Sequence, residues 1–137
     1  MKDLRTESDP GVGGALEPRC RIWLECPGTE AVFGDGKWRL LEAIEREGSL
    51  QAAAKTLEIS YRKAWGDLHK AERCLGVVLL ERHRGGAGGG ETHLTGAGKA
   101  WAREYARLRK SMERALRAEM DILKKRMASM EFTEGKT

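Results

Sequence analysis

Residues 48–82 read GSLQAAAKTLEISYRKAWGDLHKAERCLGVVLLER, and this stretch decides the fold. Ser49 is placed to cap a helix running through Leu57, in which Ala52, Ala53 and Ala54 are small enough for close helix packing. Ser60 is placed to cap a second helix running to about Cys74, with only Glu58 and Ile59 between the two. A short helix, a tight turn and a second helix make the helix-turn-helix plan, whose second helix enters the DNA major groove. On that second helix Ala64, Leu68, Ala71 and Leu75 recur at spacings of four, three and four and point inward, with Ile59 beneath its start. Tyr61, Arg62, Trp65, Gly66 and His69 then fall on the outward face. Gly66 costs the helix about 1 kcal/mol relative to alanine, and suits a close approach by a neighbouring helix or by DNA.

The flanking sequence reads as support for this helix. Residues 77–82 and 91–94 are two strands of a hairpin, or wing, joined by His83, Arg84 and a glycine-rich tip. Upstream, residues 19–25 (RCRIWLE) and 31–33 are short strands either side of a Cys26-Pro27-Gly28-Thr29 turn. A first helix follows from Asp35, its expected cap, to Gly48, with Leu40, Leu41 and Ile44 as its inward stripe and Trp38 beside them. Thr95 caps a long helix in which Trp101, Tyr105, Leu108, Met112, Leu116, Met120, Leu123, Met127 and Met130 recur every three or four residues. Some 35 residues at ~1.5 Å each make a rod of roughly 50 Å. Nothing else in the chain is expected to cover that stripe, so Trp101, Tyr105, Leu108, Met112, Leu116, Met120 and Leu123 are assigned to a homodimer contact.

The expected architecture is mainly α with small β: a winged helix-turn-helix with an N-terminal β-hairpin and a long C-terminal dimerisation helix. Residues 1–18, rich in Gly, Pro and charge, form a disordered lead-in. Residues 19–94 form the DNA-binding domain, 95–130 the dimerisation helix and 131–137 a frayed tail.

Charge is uneven along the 137 residues. The overall net charge of +4 is distributed as −2 over residues 1–18, +1 over 19–94 and +5 over 95–137. Positive charge for DNA must therefore cluster, on Arg62, Lys63, His69 and Lys70 and beyond them on Arg82, His83 and Arg84. The basic groups of the long helix alternate with Glu104 and Glu113 and read as a solvated face. Three cysteines, Cys20, Cys26 and Cys74, without a secretory segment point to reduced, buried thiols in the cytoplasm. No run of ~18 apolar residues predicts a membrane span. Cys20 and Cys26 lack the spacing and histidine neighbours of a metal site, so no metal or cofactor is expected. The glycine run lacks the Gly-Lys-Ser/Thr ending of a phosphate-cradling loop. His69, His83 and His93 are scattered with no nucleophile motif beside them, so no enzyme is expected.

Together, Gly48-Ser49, Ala53-Ala54, Leu57, Ile59-Ser60, Leu75-Gly76-Val77, Leu79-Leu80-Glu81-Arg82 and Leu94-Thr95-x-x-Gly98 resemble the winged helix-turn-helix of LysR-type regulators. Residues 59–65 (ISYRKAW), Glu81-Arg82 with the glycines after them, and the leading Trp23-Leu24-Glu25 are more specifically similar to the N-terminal domain of the molybdate-responsive ModE regulators. The resemblance covers about residues 19–110. It implies a dimeric, DNA-binding transcription regulator. Full ModE regulators carry C-terminal oxyanion-binding domains of well over one hundred residues, whereas this sequence runs about 40 residues past Thr95, all readable as helix. Molybdate binding is therefore not expected.

Within that reading, Tyr61, Arg62 and Trp65 occupy the turns where base edges are contacted, Arg62 as a bidentate donor to guanine. Trp65 has a rival place in the core. Ser60, Lys63, His69 and Lys70 complete the helix surface, with Lys63 and Lys70 suited to phosphates. Ser49 and Gln51 lie where the start of the preceding helix meets a phosphate, although a cap alone would explain Ser49. Arg84 is assigned to DNA and Arg82 to a structural acid such as Glu81 or Glu72. The predicted partners are double-stranded DNA, read as an inverted repeat, and a second copy of the chain. The competing readings are a protein–protein adaptor with weak or no DNA binding, motivated by the low net charge of residues 19–94, and a small-oxyanion sensor.

Overall fold

A computed structural model describes residues 16–29, 32–83, 90–130 and 132. Residues 1–15 of the expected lead-in over 1–18, the wing tip with Arg84, and nearly all of the expected tail lie outside the described residues. The chain divides after Arg109: Arg21–Arg109 is one compact unit, and the chain from Lys110 belongs to a second.

In chain order the elements are β1 (Trp23–Glu25), β2 (Val32–Gly34), α1 (Asp35–Glu47), α2 (Leu50–Thr56), α3 (Tyr61–Leu75), β3 (Leu80–His83), β4 (Glu91–Leu94) and α4 (Gly96–Ser129). The strands form two antiparallel hairpins, β1 with β2 and β3 with β4. The fold is a mainly helical winged helix-turn-helix with a long C-terminal helix.

Local chemistry explains most boundaries. The Ser49 hydroxyl accepts from the Ala52 amide at 3.0 Å and starts α2. The Ser60 hydroxyl accepts from the Lys63 amide at 2.9 Å and starts α3. Thr95 does the same for the Gly98 amide at 2.9 Å, while its own hydroxyl donates to the Val78 carbonyl and so ties the start of α4 to the approach to β3. Helices α1 and α3 end on Gly48 and Gly76, whose φ values of 86° and 72° are left-handed and favour glycine. The turn between α2 and α3 puts Glu58 at φ 60°, a cost the tight connection imposes.

The core is the meeting of three inward stripes. Leu40, Leu41, Ala43 and Ile44 of α1, Leu50, Ala53 and Ala54 of α2, and Ala64, Leu68 and Ala71 of α3 are all buried. Alanines at 53, 54, 64 and 71 let these backbones approach closely. The wing closes one side: Leu79 and Leu94 are buried, and the Thr92 amide donates to the Gly48 carbonyl at 3.0 Å.

The first turns of α4 correct one expectation. Their apolar stripe is covered by the chain's own residues. Tyr105 is 2% exposed, and Trp101 and Leu108 pack partly buried against the same core. Phe33 of β2 is fully buried between the rings of Trp101 and Tyr105, at centroid distances of 5.6 and 5.3 Å. The Trp38 indole donates to the Ala102 carbonyl at 3.1 Å. The β-hairpin and α1 thus do the covering that spacing along one helix assigned to a partner.

Asp35 is corrected too. It is the first residue of α1, which has no side-chain cap. Its carboxylate instead accepts from the Tyr105 hydroxyl at 2.8 Å and from Arg109 at 3.0 and 3.3 Å, while the Arg109 guanidinium lies 4.8 Å over the Trp38 ring. Burial raises the Asp35 pKa, but the Tyr105 and Arg109 hydrogen bonds and the Arg109 and Arg39 charges outweigh it, leaving the carboxyl below its ordinary value. Burial and then Asp35 hold the Tyr105 hydroxyl well above the usual phenol range, so it stays a donor. A carboxyl lowered in the folded state stabilises the fold above its unfolded value, and that contribution is lost as pH falls through the folded value. Stability should therefore drop on acidification below about pH 4. Urea midpoints taken from pH 6 to 3 should fall less steeply in Asp35→Asn, and identical slopes would remove Asp35 from the account.

The cysteines depart from the expected reduced, buried thiols. Cys26 and Cys74 are joined by a disulfide, their Cα atoms 5.6 Å apart, and Cys20 is free and exposed. The bridge ties the β1–β2 turn to the last turn of α3.

Candidate nucleic-acid interface

The outward face of α3 starts at a capped N-terminus and is free of packing against the core. Tyr61 and Trp65 are exposed by 46% and 41%, and Arg62, Lys63, His69 and Lys70 are exposed with them. This settles the place of Trp65: it lies on the surface, with the His69 ring 3.8 Å away between centroids, and not in the core. His69 also approaches Glu72 at 3.3 Å. Lys63 pairs with Asp67 at 3.1 Å. Gln51 is exposed on α2, and Ser49 and Ser60 are engaged as helix caps.

The wing stands beside the start of this helix. Arg82 of β3 donates to the Tyr61 hydroxyl at 3.2 Å, a structural contact between the wing and α3. Glu72 instead accepts from the Leu79 amide at 2.8 Å, fixing the turn between α3 and the wing.

Lys37, on the first turn of α1, was not singled out by sequence reasoning. Burial holds its ammonium below the ordinary lysine value, with Lys63 and Lys70 adding repulsion and Asp67 opposing them. The packing of α1 on α3 therefore brings three lysines and one aspartate into mutual electrostatic range. Nothing in the spacing of the sequence announces this, because Lys37 and Lys63 lie on different helices.

The residues assigned to dimerisation fall into two groups. Trp101, Tyr105 and Leu108 belong to the Arg21–Arg109 unit and pack there. Met112, Leu116, Met120 and Leu123 lie beyond it, half-buried or exposed, together with Ile122, Met127 and Met130. Among the described residues no group of three or more His, Cys, Asp or Glu side chains is placed to hold a metal ion, and no helix is long and apolar enough to cross a membrane.

Residues 36–99 match the model of the bacterial regulatory helix-turn-helix proteins of the lysR family. A solved structure of the CbnR_DBD–DNA complex superposes with a TM-score of 0.52 and 30% identity, over 64% of this chain and 95% of that one. The chain belongs to the LysR-type helix-turn-helix family of DNA-binding transcription regulators, which is not a family of enzymes.

Its sequence relatives are more particular. The molybdenum transport protein ModE of Azotobacter vinelandii is 39% identical over 84 residues, covering 61% of this chain and 31% of that protein. The transcriptional regulator ModE of Haemophilus influenzae is 38% identical over 87 residues, covering 63% and 34%. The likeness is thus ModE-like, and the chain spans about a third of the length of these curated relatives.

Proposed function

We propose that this chain binds double-stranded DNA as a homodimer, with one α3 helix in the major groove of each half of an inverted repeat. The observation that carries the reading is the exposed Tyr61–Arg62–Trp65 face at the capped start of α3, set beside the wing through the Arg82–Tyr61 contact. An arginine there is suited to guanine O6 and N7, and Lys63 and Lys70 to flanking phosphates. Ser49 and Gln51 at the start of α2, and Arg84 in the wing, are proposed phosphate contacts. The DNA-complexed solved neighbour and the ModE relatives support the same reading. The stripe of Met112 and Leu123, exposed, with Leu116 and Met120, half-buried, is the proposed seam between two copies.

Selection of purified protein against a randomised duplex pool, at two salt concentrations, tests this. A palindromic motif should be enriched, with affinity falling steeply as salt rises. Arg62→Ala should then weaken binding to the selected duplex by about 1–3 kcal/mol, on the order of 10- to 100-fold, and relax preference at one base pair per half-site. Equal binding by the variant would remove Arg62 from base readout. Absence of any salt-sensitive binding would favour the adaptor reading, for which the low net charge of residues 19–94 is the motive.

A further inference from the structure

The interior of α3 contains a residue that the chain's own packing does not explain. Gly66 is the sixth of fifteen residues in α3, where glycine weakens a helix relative to alanine. A glycine in such a place leaves room for close approach, by a neighbouring element of the chain or by something from outside. The first reason fails here: a methyl group built on Gly66 meets nothing within 4 Å among the described residues. The contacts that hold α3 in the fold run through Ala64, Leu68 and Ala71.

Gly66 instead lines a surface groove of ≈ 720 Å³, together with Trp65, His69, Lys70, Glu72, Arg73 and Val78. It lies one helical turn after Arg62 and one turn before Lys70, so the three follow one another along the exposed face. An aromatic ring on one side, cationic side chains further along and bare backbone between them suit a base edge with its flanking phosphates.

We propose that Gly66 is a specificity-determining position: the point where the α3 backbone comes into van der Waals contact with a base edge in the major groove. This rests on the DNA-binding reading above. The missing side chain lets the helix sit deep enough for Arg62 to reach its base in line, and a methyl group at position 66 would lift the helix away.

The test compares wild type, Gly66→Ala and Gly66→Leu in three measurements: affinity for the selected duplex, affinity for an unrelated duplex of equal length, and Tm. Gly66→Ala should raise Tm by a few degrees, because alanine is the better helix former and no neighbour is displaced. The same variant should lose at least tenfold in affinity for the selected duplex while holding the unrelated duplex within twofold, and Gly66→Leu should lose more. Selected-duplex binding within twofold of wild type in the alanine variant overturns the proposal. A fall in its Tm also overturns it, since the glycine would then serve packing within the chain. A wild-type protein that prefers no duplex overturns the DNA-binding reading and this assignment together, which separates that failure from failure of Gly66 alone.

Discussion

Reducing the Cys26–Cys74 bridge should lower the stability of the Arg21–Arg109 unit by about 4 kcal/mol. The two cysteines are separated by 48 residues, and closing a loop of that length removes chain entropy from the unfolded state on this scale. The loop encloses α1, α2 and nearly all of α3, so the cross-link acts on the helix-turn-helix itself. Thermal unfolding with and without a thiol reductant measures the effect. Wild type should melt many degrees lower when reduced, and Cys74→Ser should melt low in both conditions. A wild-type Tm indifferent to reductant would show that the bridge contributes nothing. Because the bridge holds the last turn of α3, its redox state should also be fixed in any DNA-binding measurement.

Phe33→Ala should cost about 3–5 kcal/mol, the range for removing a buried aromatic side chain from a packed core. Phe33 is fully buried, and its edge meets the Tyr105 ring at 74° while Trp101 tilts against it at 51°. Alanine would leave a cavity between β2 and the first turns of α4, where the Tyr105 hydroxyl also lies against Asp35 and, at 3.2 Å, the Ile22 carbonyl. Urea unfolding followed by far-ultraviolet circular dichroism gives the cost. Phe33→Leu, which keeps most of the volume, should lose much less. Equal loss in both would point to ring geometry over volume as the source of stability.

What the sequence disclosed, and what it hid, follows from distance along the chain. Ser49, Ser60 and Thr95 announce their helices because a cap is a contact between residues three apart. The inward stripe Ala64, Leu68 and Ala71 is legible for the same reason, as helical periodicity is local. Asp35 is not: read locally it is a cap, but its partners Tyr105 and Arg109 lie some 70 residues on. The disulfide joins two residues whose spacing matches no motif. On α4 the periodicity correctly marks an apolar stripe but does not say what covers it. Phe33 and Trp38 cover Trp101 and Tyr105, and the spacing alone does not set these two apart from Met112 and Leu116. At the candidate site, the exposed face of α3 was legible as the complement of the buried stripe, whereas the electrostatic grouping of Lys37 with Lys63 and Lys70 requires two helices to be placed first.

The four tryptophans are distributed so that the molecule carries its own optical probes. Trp38 and Trp101 are partly buried against the core, and Trp38 has its indole N–H bonded to a carbonyl. Trp23 and Trp65 stand 53% and 41% exposed, one on the hairpin and the other on the face of α3. A small aqueous quencher therefore reaches two of the four fluorophores readily, and only Trp65 lies on the surface assigned to DNA. Shielding of part of the emission by an operator duplex would report occupancy of that face without a dye, and a Trp23→Phe background would make the signal specific to Trp65.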